Sequence, residues 1–227
     1  MTQVDSAAQD RFRLVTFDAH NTLIAPYPGI GAVYAEVARA YGLERDAASL
    51  DAQFPAAFRT THAEWPVPYG ADEDDARAFW IRVVGRTFGE PLPNEVAWEC
   101  YDTFATAGRW RVLPGVRETL AGLAARGLPL AVISNFDARL PPLLAALELG
   151  PFATVVVSAT LGTAKPDPAT LQPLLRQFAC TAGAVLHIGD SEREDGGLCV
   201  ASGAHWFPVT PGAGISLAAV LAKLDGW

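Results

Sequence analysis

Basic residues are scarce in this chain and never gather. Its 227 residues hold 17 Lys and Arg against 25 Asp and Glu, a net charge of −8. No run of Lys or Arg offers a footprint for a phosphate backbone, so nucleic acid is not an expected partner. Cysteine is equally thin. Cys100, Cys180 and Cys199 stand far apart, odd in number and without a Cys-x-x-Cys pair. A disulfide framework or cysteine zinc centre is therefore not expected, and a reducing compartment fits. No apolar stretch approaches the ~20 residues that cross a bilayer. The residues after Met1 are polar and lack a signal-peptide core. A cytoplasmic protein with no membrane partner is the expectation. Internal repeats and low-complexity tracts are absent, and oligomeric state is not legible.

What the chain does have is apolar material. Hydrophobic residues make up 50%, and the length suits one large domain or a domain with an insertion. Residues 1–11 are polar and expected to fray. Leu14-Val15-Thr16-Phe17 reads as a buried strand that stops at Asp18. Pro26, Pro28 and Gly29 break the chain, and a helix follows from Gly31 to Tyr41. The segment from about 43 to 110 lacks strong β runs and holds most of the aromatics. Helical spacing is visible from Asp74 to Phe88 and from Asn94 to Phe104, so this segment reads as a helical insertion. Its aromatics are expected to pack between helices. Trp65 and Tyr69, in a Pro-rich loop, are the best candidates to face a crevice.

After Pro114-Gly115 strands and helices alternate. Strands are expected at Leu128 to Ile133, Ala153 to Val157, Ala184 to Ile188 and Ala204 to Val209. Helices are expected at Val116 to Arg126, Pro141 to Leu147, from Asp167-Pro168 to about Phe178, Asp195 to Ser202, and Ser216 to Leu224. This alternation means an α/β fold, a parallel sheet with right-handed crossovers that includes the first strand.

Four strand ends carry chemistry-bearing residues: Asp18; Ser134-Asn135; Lys165-Pro166; and Gly189-Asp190 followed by Asp195. Each alone is an ordinary turn, cap or solvated charge. Together they fall at the carboxyl edge of one sheet, where α/β proteins place ligands. Asp18, Asp190 and Asp195 would repel one another at short range. Mg²⁺, which takes hard oxygen ligands, resolves that repulsion. Lys165 adds a compact positive charge, Ser134 a hydroxyl and Asn135 a backbone N–H. A carboxylate in such company is arranged to attack phosphorus and form an aspartyl-phosphate that water hydrolyses.

These four motifs, in this order, resemble those of the haloacid dehalogenase-like hydrolase superfamily over nearly the whole chain. Leu130 to Leu140 looks especially close to the branch called domain-containing protein 3. The resemblance implies a Rossmann-like core at 1–25 and 111–227, with an all-helical cap at 26–110 inserted after the first motif. It implies Asp18 as nucleophile, with Ser134 and Lys165 on the phosphoryl group. It also implies Mg²⁺ held by Asp18, the His20 carbonyl and Asp190, with Asp195 assisting directly or through water. The implied substrate is a small phosphate ester.

The family's phosphatases have a second Asp two residues after the nucleophile, as general acid and base. Here that position is His20, whereas the dehalogenases have Tyr there. His20 is either a proton carrier, better as base than acid beside a metal, or a spacer pointing into the cap. As an acid it would be poor, so good leaving groups such as acyl or aryl phosphates would be preferred. A 2-haloacid dehalogenase and a catalytically weak binding protein are the alternative readings. His187 and His205, in strands, are expected to fill core or surface roles, and His62 has no metal-ligand partner at useful spacing.

Overall fold

The computed structural model describes residues 12–226 apart from 66, 68 and 90. The fraying expected of residues 1–11 lies outside them. The sheet has five parallel strands in the order β5-β4-β1-β6-β7. They are β1 (Leu14–Phe17), β4 (Leu130–Ser134), β5 (Thr154–Val157), β6 (Val185–Gly189) and β7 (His205–Pro208).

The three central strands, β4, β1 and β6, are buried along their whole length, which explains their unbroken apolar character. Their side chains alternate between the two faces. Val15, Phe17, Leu130, Val132, Leu186 and Ile188 enter the larger core, while Leu14, Ala131, Ile133 and Val185 enter a second one. The helices α5 (Val116–Ala125) and α10 (Leu217–Asp225) lie against each other over the larger core. On the other face Leu171, Leu174 and Leu198 cover the second core. Two of these come from a 3₁₀ turn (Pro168–Leu171) and α8 (Gln172–Gln177), where one continuous helix is expected from the sequence.

Between β1 and β4 the chain leaves the sheet through a small antiparallel pair. β2 (Ile24–Pro26) pairs with β3 (Trp110–Val112), setting Pro26 opposite Trp110. Sequence patterning misses both, because three-residue strands carry too little alternation. Between them lie α1 (Ile30–Ala40), α2 (Ala47–Glu64), α3 (Glu73–Phe88) and α4 (Asn94–Thr103). Contacts run α1 to α2, α2 to α3, α3 to α4 and α4 back to α1. Helix α2 escapes sequence reading for two reasons. Pro55 lies inside it, where proline removes a helical hydrogen bond, and it buries only Leu50, Ala57 and Thr61, a thin apolar stripe. Helices α3 and α4 match their expected spans within a residue or so. Helix α3 is capped by the Asp72 side chain and ends at left-handed Gly89.

The remaining elements are α6 (Leu140–Ala146), α7 (Ser158–Leu161) and α9 (Gly197–Ser202). Asp195 does not open a helix as expected; it sits inside a π-helical turn, Glu192–Gly196, that precedes α9. Among the described residues no helix is long and apolar enough to cross a membrane.

Candidate active site

Asp18 leaves β1 with its N–H bonded to the Ile188 carbonyl at 2.9 Å, so the central strand pair sets its position. A tight turn follows, with Leu23 N–H on the Ala19 carbonyl and Asn21 in the left-handed region at φ 61°. Asn tolerates that conformation better than most residues. Thr22 in this turn donates to Asp190 Oδ1 at 3.1 Å, tying the first motif to the end of β6.

Lys165 is the centre of the charge network. Its ammonium lies 2.7 Å from Asp18 Oδ1 and 2.5 Å from Asp195 Oδ1, and its side chain is 1% exposed. Asn135 holds the Lys165 backbone from both sides: its Oδ1 accepts from Lys165 N–H at 2.8 Å and its Nδ2 donates to the Lys165 carbonyl at 3.0 Å. The same Nδ2 donates to Glu194 Oε2 at 2.8 Å. Asp195 is fully engaged. Oδ1 meets Lys165 and His187 Nε2, the latter at 2.9 Å, and Oδ2 accepts from Ser191 N–H at 2.9 Å. A Cβ on Gly189 would collide with the Asp195 carboxylate, so only glycine lets that side chain fold back under the end of β6.

Burial pushes the Asp18 carboxyl above its ordinary value; Lys165 opposes this, and Asp195 and Asp190 add to it. Burial likewise raises Asp190, with Asp195 reinforcing. Asp195 goes the other way: burial works against its charge, but Lys165 and His187 overcome it and hold the carboxyl low. Burial disfavours the Lys165 ammonium, yet Asp18 and Asp195 more than offset that and keep it charged. Carboxylate oxygens of Asp18, Asp190 and Asp195 come within 4.8 Å of one another. The cluster thus holds three acids against one buried cation.

These acids open on a cavity of about 250 Å³. Ser134, Asn135, Glu194 and His20 line it beside them, and much of the rest is lined by rings from the four helices, β3 and the loops. His20 sits edge-on to Trp110, with ring centroids 6.3 Å apart. Burial pushes its imidazole below the ordinary range, with Asp18 partly opposing.

Comparison with known proteins bears on this geometry. The family model described as haloacid dehalogenase-like hydrolase matches residues 12–198. This chain belongs to the haloacid dehalogenase-like hydrolases. A haloacid dehalogenase-like hydrolase domain-containing protein 3 from Bos taurus is 34% identical over 207 residues, covering 88% of this chain and 82% of that protein. A phosphoglycolate phosphatase from Pectobacterium atrosepticum is 29% identical over 184 residues, 80% of this chain and 74% of that protein. Among solved structures, a 2-haloacid dehalogenase from Pseudomonas syringae superimposes with a TM-score of 0.61 at 25% identity, covering 95% of this chain and 98% of that one. The family is one of hydrolases, and the parallel sheet is its fold.

Every residue singled out from sequence for a candidate site lies at one end of one sheet. Ser134, the last residue of β4, lines the cavity. The Asn135 side chain is spent on Lys165 and Glu194, so its visible task is holding the lysine loop. Of the two loop aromatics, Tyr69 lines the cavity and Trp65 does not. The Trp65 indole instead donates to Asp75 at 3.1 Å and packs on Phe79, filling the gap between α2 and α3. His62 packs on Phe58 and Tyr69. His187 is more than core filling: it spans from Thr16 Oγ1 at 2.8 Å to Asp195. Sequence reading missed it, although an imidazole within a fully apolar strand was the available signal. Glu194 was also missed, since nothing in its local pattern sets it apart from an ordinary turn residue; Thr22 belongs to the first motif, and what goes beyond the sequence is its bond to Asp190.

Proposed function

We propose that this hydrolase is a cytoplasmic, Mg²⁺-dependent phosphatase of a small phosphate ester, with residues 26–110 as its cap and the rest as its core. The observation that carries the reading is the buried Asp18–Lys165–Asp195 network beside Asp190. Three acids facing one lysine leave excess negative charge, which a phosphate dianion could not approach unaided.

The donor set fits Mg²⁺: it is all oxygen, at a spacing one ion can bridge. Asp18, the His20 carbonyl and Asp190 would hold it. Asp195, whose oxygens already serve Lys165, His187 and Ser191, would act through water and through the lysine. When bound, the ion supplies charge neutralisation at the phosphoryl oxygens.

The chain's own residues account for the rest. The Asp18 carboxylate attacks phosphorus, the bond to the leaving oxygen breaks, and an aspartyl-phosphate remains. Lys165 and the Ser134 hydroxyl stabilise charge on the phosphoryl oxygens. Water then attacks the same phosphorus, the bond to Asp18 breaks, and inorganic phosphate leaves with the carboxylate restored. His20, neutral near pH 7, takes the proton of that water. Because a neutral imidazole donates no proton in the first step, esters with stable leaving groups are favoured.

The test is hydrolysis of 4-nitrophenyl phosphate with and without Mg²⁺. Asp18→Asn should lower kcat at least about a thousandfold, by loss of the nucleophile. Turnover that survives this substitution overturns the reading. A second reading, 2-haloacid dehalogenase, is favoured by one observation: residue 20 is not an acid. Halide release from 2-chloropropionate without metal would establish it.

A further inference from the structure

The interior of the sheet holds two polar side chains that core packing does not call for. Thr16 on β1 and His187 on β6 lie opposite each other in the parallel register, and both are fully buried. Aliphatic side chains would fill the same space without taking a hydroxyl and an imidazole out of water. Both groups are bonded instead. Thr16 Oγ1 lies 2.8 Å from His187 Nδ1, and His187 Nε2 lies 2.9 Å from Asp195 Oδ1.

The bonds continue into the site. Asp195 Oδ1 also takes the Lys165 ammonium, at 2.5 Å, and that ammonium lies 2.7 Å from Asp18 Oδ1. Asp18 follows Thr16 by two residues, so the chain of bonds leaves β1 and returns to its end. The network assigns the tautomer. An ionised carboxylate only accepts, so Nε2 carries a hydrogen; in the neutral ring Nδ1 then accepts from the Thr16 hydroxyl, which fixes the plane of the imidazole. The two oxygens of Asp195 are held differently. Oδ2 is fixed by a backbone group, the Ser191 N–H at 2.9 Å. Oδ1 is shared, among the described residues, between Lys165 and His187. Without the imidazole that oxygen would be held only by an ammonium on a long, rotatable stem.

We propose that His187, oriented by Thr16, is a positioning residue: it holds the Asp195 carboxylate at the angle that keeps the Lys165 ammonium against Asp18. Neither Thr16 nor His187 is among the residues that line the cavity, so both act through the lysine. The effect on catalysis rests on the phosphatase reading, in which Lys165 stabilises charge on the phosphoryl oxygens; the placement of the lysine is a claim of its own. A charge that must meet a transition state is worth less when it can turn away.

Two measurements on the full chain test this. The first is proton exchange of the Lys165 ammonium with water, read by NMR in protein labelled with ¹⁵N at the lysine Nζ. The chain's lysines are Lys165 and Lys223, and the signal lost in Lys165→Met is that of Lys165. His187→Leu should speed its exchange at least about tenfold, the worth of one hydrogen bond to a charged group. His187→Gln, whose amide again offers Asp195 a donor, should stay within about threefold of the unsubstituted protein. Thr16→Val keeps the shape and removes the hydroxyl; its effect should fall between these, and it decides alone if His187→Leu does not fold. Unchanged exchange in either His187→Leu or Thr16→Val overturns the proposal, as does an equal change in His187→Leu and His187→Gln. The second measurement is turnover of 4-nitrophenyl phosphate with Mg²⁺. In His187→Leu kcat should fall about ten- to a hundredfold while KM stays within about threefold, and His187→Gln should recover most of the loss. No loss, a loss confined to KM, or one that His187→Gln does not recover overturns the proposal. An unsubstituted protein that hydrolyses no phosphate ester, while the ammonium exchange behaves as expected, overturns the phosphatase reading and leaves the placement of Lys165 by His187 standing.

Discussion

The two ends of the cavity are built by opposite means. At the sheet edge almost every polar atom is held by others: Lys165 by two carboxylates and an asparagine, Asp195 by three donors, Asp190 by Thr22. Each group is fixed in place and in charge before a ligand arrives. Such preorganisation is what stabilises a transition state. At the helical end the walls are rings in contact with rings, such as Phe58 with Trp80 at 5.9 Å and Tyr34 with Phe104 at 6.0 Å. Their geometry depends on shape and burial, with few directional bonds. On the proposed reading, chemistry belongs to the rigid polar end and choice of ligand to the apolar one.

The sharpest way to break that contrast is to damage each end equally and ask what rescues it. Phe79 is fully buried between α2 and α3, where it meets Phe58, Trp65 and Trp80. Phe79→Ala should cost about 3–5 kcal/mol of stability by leaving a cavity. Lys165→Met should cost a similar amount, about 3–5 kcal/mol, for a different reason: it leaves Asp18 and Asp195 buried and uncompensated. Urea unfolding with and without Mg²⁺ separates the two. Added Mg²⁺ should stabilise Phe79→Ala no more than it does the unsubstituted protein, and Lys165→Met by more, because there a cation replaces a cation. An equal gain in both variants would mean that the metal does not compensate for the lost lysine.

Smaller in effect is the substitution at position 20, which tests whether the polar end lacks an acid. His20→Asp should raise kcat/KM for an alkyl phosphate about ten- to a hundredfold, a fraction of what general acid–base catalysis supplies. It should change an aryl phosphate much less, since that leaving group needs no proton. Unchanged or lower activity on the alkyl ester would show that His20 is not the limiting residue.

The contrast also explains what could be read from the sequence. Asp18, Ser134 and Asp190 stand at or just beyond strand ends, and a parallel sheet converts those positions into one edge; Lys165 follows β5 by way of α7 and is brought to the same edge by Asn135. Asp195 is legible as a site acid but not in its local structure, because the π-helical turn that holds it has no pattern of its own. For His187 the sequence offers a core or surface role, since burial and a structural hydrogen bond look alike in a strand sequence. The helical end was legible only as helical. Whether Trp65 or Tyr69 faces the cavity depends on a loop whose Tyr69 sits at φ 66°, a backbone choice that composition does not reveal. Helix α2, with Pro55 inside it, follows from packing against α1 and α3 rather than from its own periodicity.

The smallest effect is expected where the two regions are joined at the surface. Arg109, just before β3, pairs with Glu36 on α1 through two hydrogen bonds of 2.5 and 2.8 Å. The bond from Arg109 holds the Glu36 carboxyl below its ordinary 4.5, with the guanidinium charge adding to it. A depressed folded-state value means that the pair's stabilisation is present above the unfolded value and fades as pH falls through the folded one. The pair is solvent-exposed and screened, so Glu36→Gln should cost under about 1 kcal/mol at pH 7 in low salt. The gap to the unsubstituted protein should close as pH falls below about 4, and should narrow in 1 M salt. A gap that persists in acid would mean that Glu36 acts by packing against the end of β3 rather than by charge. The helical region would then be anchored to the sheet by the same apolar means that shape its half of the cavity.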